Sequence, residues 1–123
     1  MLKASYDQAR NTVIIEFIGK VDVVQTESFL KDIQAVVPKQ GKGFRLLTDF
    51  TALEEMEDNV QAFIKKTMDY FDQQGVTQIL RVIPTLDQDF GFNLLSLFHY
   101  SKKVKFLTLK SRAEADERLK IGA

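Results

Sequence analysis

The chain reads as an α/β domain built on a mixed, mostly parallel sheet, and three observations point there. Short runs rich in β-branched and aliphatic residues alternate with stretches whose apolar residues recur at helical spacing. The changes of period fall at Gly or Pro, at Gly19, Pro38, Gly75 and Pro84. The length of 123 residues suits one domain, 1–123, which at this size buries roughly two-thirds of the surface its unfolded chain exposes.

The first element is a short strand over 2–6, followed by a polar turn from Asp7 to Asn11. Thr12 to Ile18 is a second strand, closed by Gly19, and the two pair as a hairpin. Residues 24–37 form a helix, with Phe29, Leu30, Ile33, Val36 and Val37 on one face and Pro38 as its stop. Phe44 to Phe50 is a strand centred on Leu46 and Leu47, and its polar end leads into a loop from Thr51 to Glu57. Asp58 or Asn59 caps a helix over 59–74, whose apolar face is Val60, Phe63, Ile64, Met68 and Phe71 and whose stop is Gly75.

Val76 to Ile83 is the next strand, ended by Pro84. A helix from Asp87 to Tyr100 and a strand from Val104 to Leu109 follow. Ser111 and Glu114 have capping-box spacing and open a last helix to about Lys120. The expected order is β-β-α-β-α-β-α-β-α, with four helices covering a sheet whose leading hairpin is antiparallel.

Composition narrows the function. Seventeen basic and seventeen acidic residues cancel, so the basic excess typical of nucleic-acid binding is missing. The absence of cysteine removes disulfides, thiolate nucleophiles and zinc–cysteine sites. The N-terminal residues lack a signal-peptide core, and no apolar run approaches the roughly 20 residues that cross a bilayer. A soluble, cytoplasmic chain is the expectation.

The layout and two stretches of text resemble the STAS superfamily, and more closely its SpoIIAA-like branch. FRLLTDFTALEEMEDNVQAFIKK, Phe44 to Lys66, is similar to that family's strand, aspartate, loop and helix. LLSLFHYSKKVKFLTLKSRAEADERL, Leu94 to Leu119, is similar to its closing helix-strand-helix. The resemblance implies a bacterial signalling domain that binds a protein partner, such as an anti-sigma factor or another regulator. Matching Asp49-Phe50-Thr51 to the family's Asp-Leu-Ser places Asp58 and Asn59 where anti-anti-sigma members carry a serine pair. No serine or threonine lies between Ala52 and Lys66, so a phosphoserine switch is not expected there. Asp58 would instead present a fixed charge, about half that of a phosphate.

Candidate chemistry is thin. Asp49 ends a central strand, the edge where open α/β sheets bind ligands, and with Thr51, Asp58 and Thr85 it could form a polar rim. The alternative makes Asp49 and Thr51 turn residues bonded to nearby backbone. A phosphoryl-accepting Asp49 needs carboxylates near the first strands to hold magnesium, and those strands end in no acidic pair. His99 is the lone histidine, with no nucleophile elbow beside it. Glu54, Glu55, Glu57 and Asp58 lack calcium-loop spacing, and no glycine-rich phosphate cradle exists.

Phe92 and Leu95 fall off the core face of the 87–100 helix and form an apolar patch suited to a partner, a second copy or a lipid. Lys102 and Lys103 follow it and suit a lipid or anion contact at a membrane surface. The reading is a non-catalytic protein-binding module using Asp49, Thr51, Asp58, Asn59, Phe92 and Leu95, without cofactor or metal. A homodimer is a further partner expectation. The alternative is a peripheral lipid- or small apolar ligand-binding domain using the 87–100 helix and its lysines.

Overall fold

The computed structural model describes residues 1–38, 43–83 and 104–120. The helix expected over 87–100, with Thr85, Phe92, Leu95 and His99, and the lysines Lys102 and Lys103, lie outside the described residues. Among the described residues the elements are β1 (Leu2–Asp7), β2 (Thr12–Phe17), β3 (Gly19–Val21), α1 (Val23–Val36), β4 (Phe44–Asp49) and β5 (Leu53–Met56). They continue with α2 (Val60–Gln73), β6 (Val76–Val82), β7 (Lys105–Leu109) and α3 (Arg112–Lys120).

The main sheet has five strands in the order β1-β2-β4-β6-β7. β1 runs antiparallel to β2, and the other pairs are parallel. The hairpin turns on Asn11, whose φ of 51° lies in the left-handed region that a short amide side chain tolerates. Its Nδ2 donates to the Gly43 carbonyl at 3.1 Å and its Oδ1 accepts from the Tyr6 hydroxyl, tying the turn to the start of β4.

β4 is buried along its whole length because both faces of the sheet are covered. Leu46 points into a layer with Val13, Ile15, Phe17 and Ile79 under α1 and α2. Leu47 points the other way, with Leu80, Val82 and Leu109 under Ala115 and Leu119 of α3. Each fully buried side chain of this size contributes roughly 1.5–3 kcal/mol. α2 buries Val60, Ile64, Thr67, Met68 and Phe71, the face its spacing predicts, and Gly75 ends it with φ of 94°.

Two short strands depart from the expected order. β3 and β5 pair in parallel as a separate two-stranded sheet, where the sequence suggests only loop. Their outward residues Lys20, Glu54 and Glu55 are charged and exposed, so they carry no apolar alternation to read. The cap of α2 also differs. Asn59 is already in the right-handed helical region, φ −68° and ψ −14°, and its side chain makes no cap hydrogen bond. The helix opens through backbone turns instead, Val60 N to Glu57 O at 3.0 Å and Gln61 N to Asp58 O at 3.1 Å. No helix among the described residues is long and apolar enough to cross a membrane.

Candidate functional site

The segment that leaves β4 is anchored from below. Phe50 is 1% exposed and stacks on Phe17, with ring centroids 4.6 Å apart. Its backbone N–H donates to Val82 O at 2.9 Å, and its carbonyl accepts from Leu53 N at 3.1 Å. The chain turns sharply and enters β5, which is pinned at both ends by Gly19 N to Ala52 O at 2.7 Å and Glu57 N to Val21 O at 3.0 Å. The strand expected to run through Phe50 therefore stops at Asp49, and Phe50 plugs the core beneath the loop.

Asp49 is turned inward. Its Oδ1 accepts from the Thr51 backbone N–H at 2.8 Å and from the Thr51 hydroxyl, the bonds of the turn alternative. Its Oδ2 accepts from Arg112 at 3.0 Å. Only 10% of the Asp49 side chain is exposed. The parallel register sets Glu16 directly beside Asp49, and the Glu16 carboxylate lies 4.0 Å from Arg112. The Arg112 Nε reaches Asp116 at 3.3 Å, and Arg10 approaches Asp116 from the hairpin at 3.4 Å. Partial burial works against the Arg112 charge. The Asp49 hydrogen bond and the field of Asp116 outweigh it, so the guanidinium pKa sits above its ordinary value.

Sequence reasoning missed Glu16, Arg112 and Asp116. The first strands supply one carboxylate beside Asp49, Glu16, rather than an acidic pair, and Arg112 lies against both. No group of three metal-ligating side chains occurs among the described residues. A signal for Arg112 existed. It is the first residue of α3, where a cation opposes the helix dipole, and such a choice calls for acidic neighbours in space.

The exposed side chains lie further along. Thr51, Glu54, Glu55, Glu57, Asp58 and Asn59 are all exposed around the buried Leu53 and Val60. Asn59 also lines a groove of about 300 Å³ between α1 and α2. Val23, Leu30, Ala62 and Phe63 form its apolar walls, and Glu27 and Lys66 stand at its sides. Val24, on the first turn of α1, is 71% exposed. The structure thus brings Asp58 and Asn59 to one surface, while the Asp49 side chain turns to the α3 side of the sheet. A second hollow, between the sheet and α1/α2, is lined by Phe17, Leu46, Thr48, Phe63 and Met68 and holds about 20 Å³, room for a water but not an acyl chain.

The architecture is the SpoIIAA-like α/β fold. The structure of the anti-sigma factor antagonist SpoIIAA in its unphosphorylated form matches with a TM-score of 0.63, covering 98% of this chain and 99% of that one at 14% identity. An uncharacterised DUF3478-family protein from Shewanella loihica PV-4, itself with a SpoIIAA-like fold, matches at 0.63, covering 97% and 92% at 13% identity. No protein-family model and no curated protein sequence matches the chain.

Proposed function

We propose that this chain is a non-catalytic regulatory module that binds another protein through the surface formed by Thr51, Asp58, Asn59 and the α1/α2 groove. The observation that carries this is the division of labour along one loop. Asp49, the carboxylate best placed for chemistry, is held by Arg112 and Thr51, while the acidic side chains beyond it face solvent on an anchored backbone. Asp49 then acts as a positioning residue. The fitting partner presents basic side chains to Glu54, Glu55 and Asp58 and an apolar side chain to the groove beside Phe63. Charge of this kind speeds encounter and fixes orientation, and the buried apolar anchor supplies affinity. The likeness to an anti-sigma factor antagonist supports an anti-sigma factor or a related regulator as that partner.

The test is affinity capture with the wild-type chain and with Asp58→Lys, each checked for unchanged circular dichroism. The reading expects a specific protein that is retained by the wild type, released by salt and lost from Asp58→Lys. Equal retention of that protein by both chains would refute it.

A further inference from the structure

We propose that β1 is a self-association edge, on which two copies of this chain join by antiparallel β1–β1 pairing centred on Ser5, with Lys3 of each copy opposite the partner's Asp7. The proposal is independent of the Asp49–Val60 surface.

β1 is the terminal strand of the main sheet, and no strand lies beyond it among the described residues. Which backbone groups it leaves free follows from the ladder. Met1 and Ile18 exchange both of their bonds, Ile18 N to Met1 O at 2.8 Å and the Met1 nitrogen to Ile18 O. In an antiparallel pair such exchanging residues alternate. With Lys3 opposite Glu16 and Ser5 opposite Ile14, the groups of Met1, Lys3, Ser5 and Asp7 point to β2. Those of Leu2, Ala4 and Tyr6 therefore point outward, a template for another strand that nothing among the described residues fills.

The side chains select the occupant and its register. A two-fold axis at Ser5 pairs Ala4 with the partner's Tyr6, and both residues have outward N–H and C=O groups. It pairs Lys3 with the partner's Asp7 at a position without backbone bonds, where facing side chains come closest. Every cross-strand charge pair is then of opposite sign, and each occurs twice. A slip of two residues in either direction sets Ser5 opposite Lys3 or Asp7 and loses both pairs. A slip of one residue turns the backbone groups and side-chain faces out of match.

Lys3 is exposed and takes part in no ion pair among the described residues. Asp7 is bonded to Arg10, its carboxylate 3.7 Å from Arg10 Nε and accepting from Arg10 N at 3.3 Å, and a carboxylate has acceptor sites to spare. On the other face Leu2, Ala4 and Tyr6 are half-buried against the α1 layer. The partner's row continues this layer. It brings the partner's Tyr6 diagonally beside Leu2, at the mouth of an open hollow of about 390 Å³ lined by Leu2, Gln25, Phe29 and Asp32. A lone lysine on an edge strand ordinarily discourages pairing, but here it stands where an acid of the second copy meets it.

The experiment is sedimentation of the full chain from micromolar to about 1 mM, with the range set by the small size of a six-residue strand contact. The wild type is expected to approach twice the monomer mass as concentration rises. Ala4→Pro, which removes an outward N–H and leaves the β1–β2 bonds intact, is expected to weaken association at least tenfold with an unchanged fold. Lys3→Asp alone and Asp7→Lys alone each set like charges opposite and should stay monomeric. An equimolar mixture of these two variants restores both opposite pairs and should form the heterodimer. A wild type that stays monomeric throughout, a dimer indifferent to Ala4→Pro, or a mixture no more associated than its components would overturn the proposal.

Discussion

The guanidinium of Arg112 donates to the carboxylate of Asp49 at 3.0 Å, joining the first residue of the last helix to the end of the central strand across 63 positions of sequence. This contact fixes α3 against the sheet at one end. At the other, the buried Arg45 donates from one nitrogen to Leu119 O at 3.0 Å and to Arg10 O at 2.9 Å. The helix is short, at nine residues, and too short to be stable alone, so these clamps and the burial of Ala115 and Leu119 decide whether it stays docked.

Arg112→Met is expected to cost about 1–2 kcal/mol in urea unfolding, since it leaves Asp49 buried with only the Thr51 bonds and the pair is partly screened by water. Folded Arg112 holds its proton more tightly than the unfolded side chain does. Its contribution is complete below the unfolded value and is lost only as pH rises through the still higher folded value. The stability difference between wild type and Arg112→Met should therefore be level from about pH 7 to 10. A difference that vanishes within that range would show that another group controls the contact.

Arg45→Leu should free the C-terminal end of α3. Amide exchange over 115–120 is expected to accelerate more than exchange in β4 or β6, because the lost bonds are those to Leu119 and the hairpin. Uniform acceleration across the sheet would place Arg45 in the general core instead.

Much of this was legible beforehand. The apolar faces of α1 and α2, the strand centred on Leu46 and Leu47, and the stop at Gly75 all follow from period and turn chemistry. Ser111 also behaves as its spacing suggests, accepting from Glu114 N at 3.2 Å. What stayed hidden depends on distance along the chain. The pairing of β3 with β5 joins two very short segments, each with one buried apolar residue, Val21 and Leu53, beside exposed charged ones, too short for a periodic signal. Of the acidic neighbours of Arg112, Glu16 and Asp49 come from β2 and β4, so no local window contains them, and only Asp116, four residues on in the same helix, is local. The helix expected over 87–100, with Phe92 and Leu95, is untested by the described residues.

Asn11→Ala should destabilise by about 1–2 kcal/mol, because it removes the bonds to Gly43 and Tyr6 and places alanine at positive φ. Asn11→Gly should cost less, since glycine adopts that conformation freely. Chemical denaturation of both variants checks the order. Equal losses would mean that the side-chain bonds alone matter.

Phe50→Ala should cost about 3–4 kcal/mol, as a large aromatic leaves a fully buried site. Amide exchange in this variant is further expected to be faster over 51–59 than in α1, because Phe50 is the plug beneath that loop. The same exchange rates in loop and helix would separate the stability of the core from the order of the binding surface.

The most direct measurement is a residue-resolved NMR titration of the labelled chain with its captured partner. Chemical-shift changes are expected to centre on Thr51, Asp58, Asn59 and Phe63, extend to Val23 and Leu30 across the groove and weaken as salt rises. Changes confined to β6, β7 or α3, with the loop and groove unaffected, would contradict the proposed binding surface.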